Sequence, residues 1–237
     1  MVYEERFDKR KFDQTRPIQA KAGVIKNADG SAWFKIGKTE AYAAVYGPRD
    51  LYPKFMQNPS TGILRCNYNM MPFSGSGDRV RPGQNRRAKE ISMVTEKALL
   101  PVLDLTEFPN AVVDVFIELP QTDAGSRCAG ICAAAIALAD AGLPMKDMVS
   151  AIAVGRIGDS VLVDLSYEEE AFHDAPVADI PIAVLNNSKE VSLLQMDGEI
   201  SKEILLKAIK LGIDASKQIH EAQIKALKEK YKGDANE

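Results

Sequence analysis

The chain has 237 residues, 46% of them hydrophobic and 27% charged, which suits a globular protein with a sizeable core. The charged opening MVYEERFDKRKFD and the absence of a long uninterrupted apolar run argue against a signal peptide or a membrane span, so the expected compartment is the cytoplasm. The net charge of −3 conceals an asymmetry: residues 1–90 hold 17 Lys and Arg against 9 Asp and Glu, whereas the remainder holds 13 against 24. That split fits either an anionic ligand on one side and acid chemistry or a complementary subunit on the other, or two ordinary solvated faces.

In chain order, AGVIKNADGSAWFKIG reads as two short strands around an Asn27-Ala28-Asp29-Gly30 hairpin. EAYAAVYG (40–47) and GILRCNYNM (62–70) read as further strands, joined by a Pro-containing loop over 48–61. PFSGSGDRVRPGQNRR (72–87) has the Gly, Ser and Arg content of a mobile loop. A helix is expected from about Arg87 to Leu103, with Ile91, Val94, Ala98 and Leu99 on one face. AVVDVFIEL (111–119) is a strand, and DAGSRCAGICAAAIALADAG (123–142) then gives a helix apolar on every side, hence buried, to about Ala141. Cys128 and Cys132 lie one turn apart on that helix and read as core; with Cys66 their spacing fits neither a disulfide framework nor a zinc site.

The stretch SAIAVGRIGDSVLVDL (150–165) predicts a hairpin turned at Gly158-Asp159, followed by an acidic loop over 166–179. IPIAVL and VSLLQM supply two more strands. Ser201 caps a long terminal helix with Ile204, Ala208, Leu211, Ala215 and Ile219 as its apolar stripe, and KGDANE frays. Strand clusters followed twice by helices predict an α+β fold of mixed sheets layered with helices, as a single domain over 1–237.

Three constellations can carry chemistry. Gly125-Ser126-Arg127 places a flexible backbone, a hydroxyl and a guanidinium at a helix start, where unpaired N–H groups favour an oxyanion. The bland alternative is a Ser cap with Arg127 paired to a carboxylate. The run DLSYEEEAFHDAPVAD (164–179) offers carboxyls for a general acid or for Mg²⁺, or is simply a solvated acidic loop; Asp179, directly before an apolar strand, is the one most firmly held. Arg79, Arg81, Arg86, Arg87 and Lys89 suit a phosphate backbone in a groove, or a salt-bridged surface. With only His173 and His220, and no nucleophile elbow, Walker loop or dinucleotide fingerprint, the other common active-site plans have little to draw on.

The stretches FDQTRPI, AGVIKNADGSAWFKIG, AAVYGPRD, RCNYNMMPFS, NRRAKEIS, VDVFIELPQTDAGSRCAGICAAAIALADAGLPMKD, VLVDL and LLQMDG, in that order, resemble the RNase PH family. Within it they look like the catalytic ring subunits of the archaeal exosome, over about Arg10 to Tyr231. The resemblance implies the RNase PH-like layered fold and a 3′→5′ exoribonuclease. Such an enzyme uses inorganic phosphate as co-substrate and releases nucleoside 5′-diphosphates reversibly. Gly125, Ser126 and Arg127 then fall on the phosphate-binding turn, Arg86 and Arg87 on the pair that grips RNA, and Asp179 on the acidic residue beside the phosphate. Lys54, in the loop lining the channel entrance, and Arg65 are further RNA contacts. The family's general acid precedes the Asp179 position by a fixed interval. Here the acidic loop is longer, so that Glu170 matches by alignment and Asp174 by spacing. Mg²⁺ is compatible with the site and not demanded by it.

The resemblance further implies as partners RNA, RNA-binding cap proteins and a related inactive subunit, three copies of which alternate with three of this chain in a hexameric ring. Two rivals remain: a non-catalytic ring subunit of the same fold, and a metal-dependent RNA hydrolase centred on residues 164–179.

Overall fold

The computed structural model describes residues 3–77, 79–83 and 85–233. The fraying expected at the C-terminus lies largely outside them. Among the described residues, two β-sheets and four α-helices make an α+β fold, and their inward side chains merge into a continuous core drawn from both halves of the chain.

The first sheet holds β1 (Ile18–Ala22), β2 (Gly30–Ile36), β3 (Thr39–Asp50), β4 (Ile63–Met70) and β5 (Ala111–Gln121) in the order β1-β2-β3-β5-β4. All pairings are antiparallel except β4 with β5, whose crossover carries helix α1 (Arg86–Leu99). The tight hairpin is not at Asn27-Gly30. Ile36 pairs with Thr39 across Gly37-Lys38, while β1 reaches β2 by the longer loop 23–29. The predicted β-run at 22–26 fails because Ile25 turns away: its N–H donates to Ser31 Oγ (2.8 Å) instead of to a ladder. The predicted helix to Leu103 stops early, giving way at Leu100–Val102 to a 3₁₀ turn around Pro101, which has no N–H to continue the α pattern.

The second sheet holds β6 (Val149–Ile157), β7 (Ser160–Val163) and β8 (Val177–Leu185), with β9 (Val191–Leu194) and β10 (Asp197–Gly198) pairing along the outer edge of β8. The β6–β7 hairpin turns at Gly158-Asp159 as its sequence predicts, with Ile157 opposite Ser160. The acidic segment is not all loop. Its start forms a short helix, α3 (Tyr167–Glu170), and β8 begins at Val177, so Asp179 lies inside a strand rather than before one.

Between the sheets runs α2 (Ser126–Asp140), with every residue except Arg127 and Ala139 buried. Its alanines, cysteines and Gly130 keep the helix slim enough for β2 and β3 on one side and β6 on the other to approach closely. The terminal helix α4 (Lys202–Gly233) lies over β6 and β1, burying Ala208, Ala215 and Ile219, and Ser201 Oγ accepts the N–H of Ile204. Among the described residues no helix is long and apolar enough to cross a membrane.

Candidate active site

The amino end of α2 opens into a cleft of about 640 Å³ lined by Arg87, Glu90, Gly125, Ser126, Arg127, Tyr167, Glu170, Asp179, Gln195 and Asp197, among others. A second hollow of about 280 Å³ adjoins it, shares Arg87, Ser126 and Glu170, and continues past Tyr68, Met70, Val80 and Asn85. Four segments far apart in sequence therefore meet here: the start of α1, the start of α2, α3 and the β8 edge.

Gly125 takes the left-handed conformation, φ 68°, that swings the chain into α2. A Cβ there would meet ordinary contacts at 3.7 Å, so the glycine is required by its backbone angle rather than by space. No side chain caps the helix, which leaves first-turn N–H groups to face the cleft beside the Ser126 hydroxyl. The turn before it is locked. Asp123 accepts from Arg16 Nη1 (2.9 Å) and from the Tyr167 N–H (3.1 Å), while Thr39 Oγ1 donates to Ala124 O (2.8 Å). Arg127 reaches across to β9's exit, donating to Gln195 Oε1, with Glu90 Oε1 3.9 Å away. Gln195 in turn donates to Glu90 (3.0 Å). The carboxylate partner anticipated for Arg127 is thus a distant one, and the guanidinium is steered mainly by an amide.

Facing this cationic end are two carboxyls out of their ordinary range. Burial, reinforced by the nearby Asp179, pushes Glu170 up to about 8. Burial pushes Asp179 up to about 6, with Arg127 opposing the rise and Asp197 adding to it. Asp179 lines the cleft, and its Oδ1 is buried without a hydrogen-bond partner. Its strand position is set by Gly155, directly opposite on β6: a Cβ on Gly155 would lie 2.2 Å from Ala178 O and force the two strands apart.

The sequence-predicted residues separate into those gathered here and those left elsewhere. Gly125, Ser126, Arg127, Glu170, Asp179 and Arg87 line the cleft. Asp174 is exposed in the turn ahead of β8 and lines neither hollow. Arg86, next to Arg87 on α1 but about 100° around the helix, is exposed as Arg87 is, but unlike it lines neither hollow. Arg79, Arg81 and Lys89 are likewise exposed. Lys54 is exposed on a 3₁₀ turn (Lys54–Met56) beside the protruding Phe55. Arg65 lies on β4 away from the cleft, where it and Arg49 grip the fully buried Asp114 at 2.5 to 2.9 Å. Burial alone would raise the Asp114 carboxyl, but those two arginines hold it below its ordinary value.

Glu90, Gln195, Asp197 and Tyr68 carry no site signal of their own in the sequence; Gln195 and Asp197 sit in the LLQMDG stretch, which is where they were findable. Among the described residues no group of three or more His, Cys, Asp or Glu side chains is arranged to hold a metal ion. The acidic run disperses instead: Asp164 binds Arg16, Glu169 binds Arg6, and Glu168 and Asp174 face water.

Comparison with known proteins accords with this architecture. Residues 14–144 match the model described as 3′ exoribonuclease family, domain 1, and residues 147–215 match domain 2 of the same family. The chain is 49% identical to the exosome complex component Rrp41 of Thermococcus kodakarensis, over 96% of this chain and 90% of that protein. It is 47% identical to the Rrp41 of Nitrosopumilus maritimus, over 97% and 92%. Among solved structures, rice Rrp46 superposes with a TM-score of 0.80 at 26% identity, covering 92% of this chain and 98% of that one. A chain of the Archaeoglobus fulgidus exosome with RNA bound to the active site gives 0.78 at 24% identity, with 92% of each covered, a likeness of fold. With both halves matched and nearly the whole length shared, the chain belongs to the RNase PH family of 3′ exoribonucleases.

Proposed function

We propose that the chain is the catalytic subunit of an archaeal-type exosome ring and degrades RNA from its 3′ end by phosphorolysis. The observation that carries this reading is the pairing, across one cleft, of an uncapped helix end bearing Ser126 and Arg127 with two carboxyls held up in pKa. An attacking phosphate and the scissile phosphodiester are both anions, so the site has to neutralise both. Ser126, Arg127 and the N–H groups of α2 hold inorganic phosphate, and Arg87 neutralises the RNA strand. A phosphate oxygen attacks the terminal phosphorus, the bond from phosphorus to the 3′ oxygen of the preceding nucleotide breaks, and that oxygen takes a proton. The terminal nucleotide leaves as a nucleoside diphosphate.

Glu170 is the proton donor in this scheme. At about 8 its carboxyl keeps its proton at neutral pH, which is the state a general acid needs. Asp174, the alternative by spacing, is exposed and lines neither hollow, which favours Glu170. Asp179 orients the phosphate, its unpartnered oxygen receiving a hydrogen bond from a protonated phosphate oxygen. None of these steps requires a metal ion. Arg86, Lys54 and Arg65 extend the RNA path outside the cleft, and a related inactive subunit alternates with this one, three copies of each, under RNA-binding cap proteins.

The test is product identity. RNA incubated with the chain and its ring partner should yield nucleoside diphosphates only when phosphate is present, and diphosphates should extend RNA when phosphate is scarce. Undiminished cleavage to monophosphates in phosphate-free buffer would refute the proposal.

A further inference from the structure

Three successive glutamates in α3 meet three different fates: Glu168 is exposed, Glu169 is fully buried, and Glu170 lines the cleft. Successive helical residues project about 100° apart, so fixing one fixes the direction of the next. A helix of four residues does not hold itself, and its orientation comes from what anchors it. One anchor is local, the capping box in which Ser166 and Glu169 satisfy each other's backbone N–H groups. A second is Asp123, which accepts the Tyr167 N–H, and a third comes from the opposite end of the chain.

Arg6, whose side chain has no solvent exposure, donates from Nε to Glu169 Oε1 (2.8 Å) and from Nη2 to Oε2 (2.7 Å). The same guanidinium donates to Val163 O and Asp164 O, both at 2.8 Å, and more loosely to Lys11 O and Gln14 O at 3.3 Å. It thus ties α3 to the end of β7 and to the amino-terminal segment in one planar fork. Tyr3 reaches the same carboxylate at 3.4 Å. Charge buried this deeply is an inefficient way to add stability, because apolar side chains of similar size do as well, but it fixes direction as they do not.

We propose that Arg6 is a positioning residue for the proton donor: by clamping Glu169 it turns α3 so that Glu170 faces the phosphate seat. This rests on the reading of Glu170 as general acid. The charged groups around Glu170 are Asp179 from β8, Arg16, Asp123 and Arg87 from α1. Of these, Asp123 holds α3 at its first residue, accepting the Tyr167 N–H (3.1 Å), whereas the Arg6 fork holds the side chain of Glu169, directly before Glu170.

The experiment uses Arg6→Lys and Glu169→Gln in the full chain, assembled as for the product assay, with thermal unfolding recorded alongside. A lysine keeps the charge but loses the two-point grip. Arg6→Lys should lower kcat roughly 10- to 100-fold, the cost of an ångström-scale misplacement, with KM for RNA and for phosphate unchanged. The alkaline limb of kcat should move to lower pH as Glu170 swings toward water. In a Glu170→Gln background Arg6→Lys should cost nothing further. An equal loss in both backgrounds, or an unmoved alkaline limb, would overturn the proposal and leave Arg6 a purely structural residue. Near-normal turnover by Glu170→Gln alone would instead sink the assignment of the acid. If Arg6→Lys does not fold, Glu169→Gln carries the same comparisons, since it keeps the side-chain volume and the oxygen that accepts from Ser166.

Discussion

Replacing Glu170 by Gln should strengthen the fold while silencing the site, and the gain should grow with pH. Burial and Asp179 together lift the Glu170 carboxyl from its ordinary 4.5 to about 8. A group whose folded pKa lies above its unfolded one holds its proton more tightly in the native state. Its contribution to stability is therefore full below about pH 4.5 and is lost as pH rises through about 8. The interval between those values, at about 1.4 kcal/mol per pH unit, sets a ceiling of about 5 kcal/mol. Water in an open cleft screens part of this, and ionisation of Asp179 is coupled to it, so about 2 kcal/mol at pH 8 is the expected difference. For a chain of this size that is roughly 4–8 °C in Tm. The glutamine does not titrate, so the wild type should lose stability relative to it steadily between pH 5 and pH 8.5. Thermal unfolding of both proteins at half-unit pH steps reads this directly. A difference in Tm that stays flat across the range would show that Glu170 is not held protonated, and the proton-donor argument would fall with it.

Asp179→Asn should abolish turnover and leave RNA affinity nearly intact, whereas Asp174→Asn should change neither, since Asp174 faces solvent; steady-state rates beside filter binding distinguish them, and a damaging Asp174→Asn would refute the placement. Arg87→Ala should weaken RNA binding without regard to base sequence and flatten the slope of log affinity against log salt by roughly 0.7, with a smaller change for the solvent-facing Arg86→Ala. Equal effects from the two across a salt series would refute the assignment of Arg87, rather than Arg86, as the main grip on the RNA at the cleft.

What the sequence disclosed was local. Gly125-Ser126-Arg127 could be recognised because a positive-φ turn, a hydroxyl and a guanidinium at a helix start form one short string, and α2 was recognisable because a helix apolar on all sides has only one place to go. The strands over 40–47, 62–70 and 111–119 appear where their patterns put them, because β-branched and aromatic runs of that length have few alternatives. What stayed hidden depends on partners far along the chain. Nothing within residues 164–179 says which glutamate is buried; the answer lies in Arg6, 163 residues from Glu169. Arg86 and Arg87 look interchangeable in a string and diverge only when wound on a helix. Arg65 reads as a free cation until β4 is laid beside β5 and Asp114 comes opposite it. The hairpin around Asn27-Ala28-Asp29-Gly30 exists as the β1–β2 connection, but with a wide loop over 23–29, while the tight turn falls at Gly37-Lys38, where Gly37 has φ 58° and the flanking strands are longer.

The packing of α2 between two sheets has a mechanical consequence. Its first turn cannot shift without dragging a helix whose sides are nearly all occupied, so the proposed anion seat is the stationary part of the site. Amide exchange should accordingly be slowest along Cys128–Leu138 and fastest across the glycine-bearing segment at 75–77 that walls the second hollow. An enzyme that shortens a polymer one unit at a time must have something advance between cuts. Under the proposed function a seat wedged in place acts as a fixed stop, and the strand itself does the travelling, fed forward until its end meets the helix.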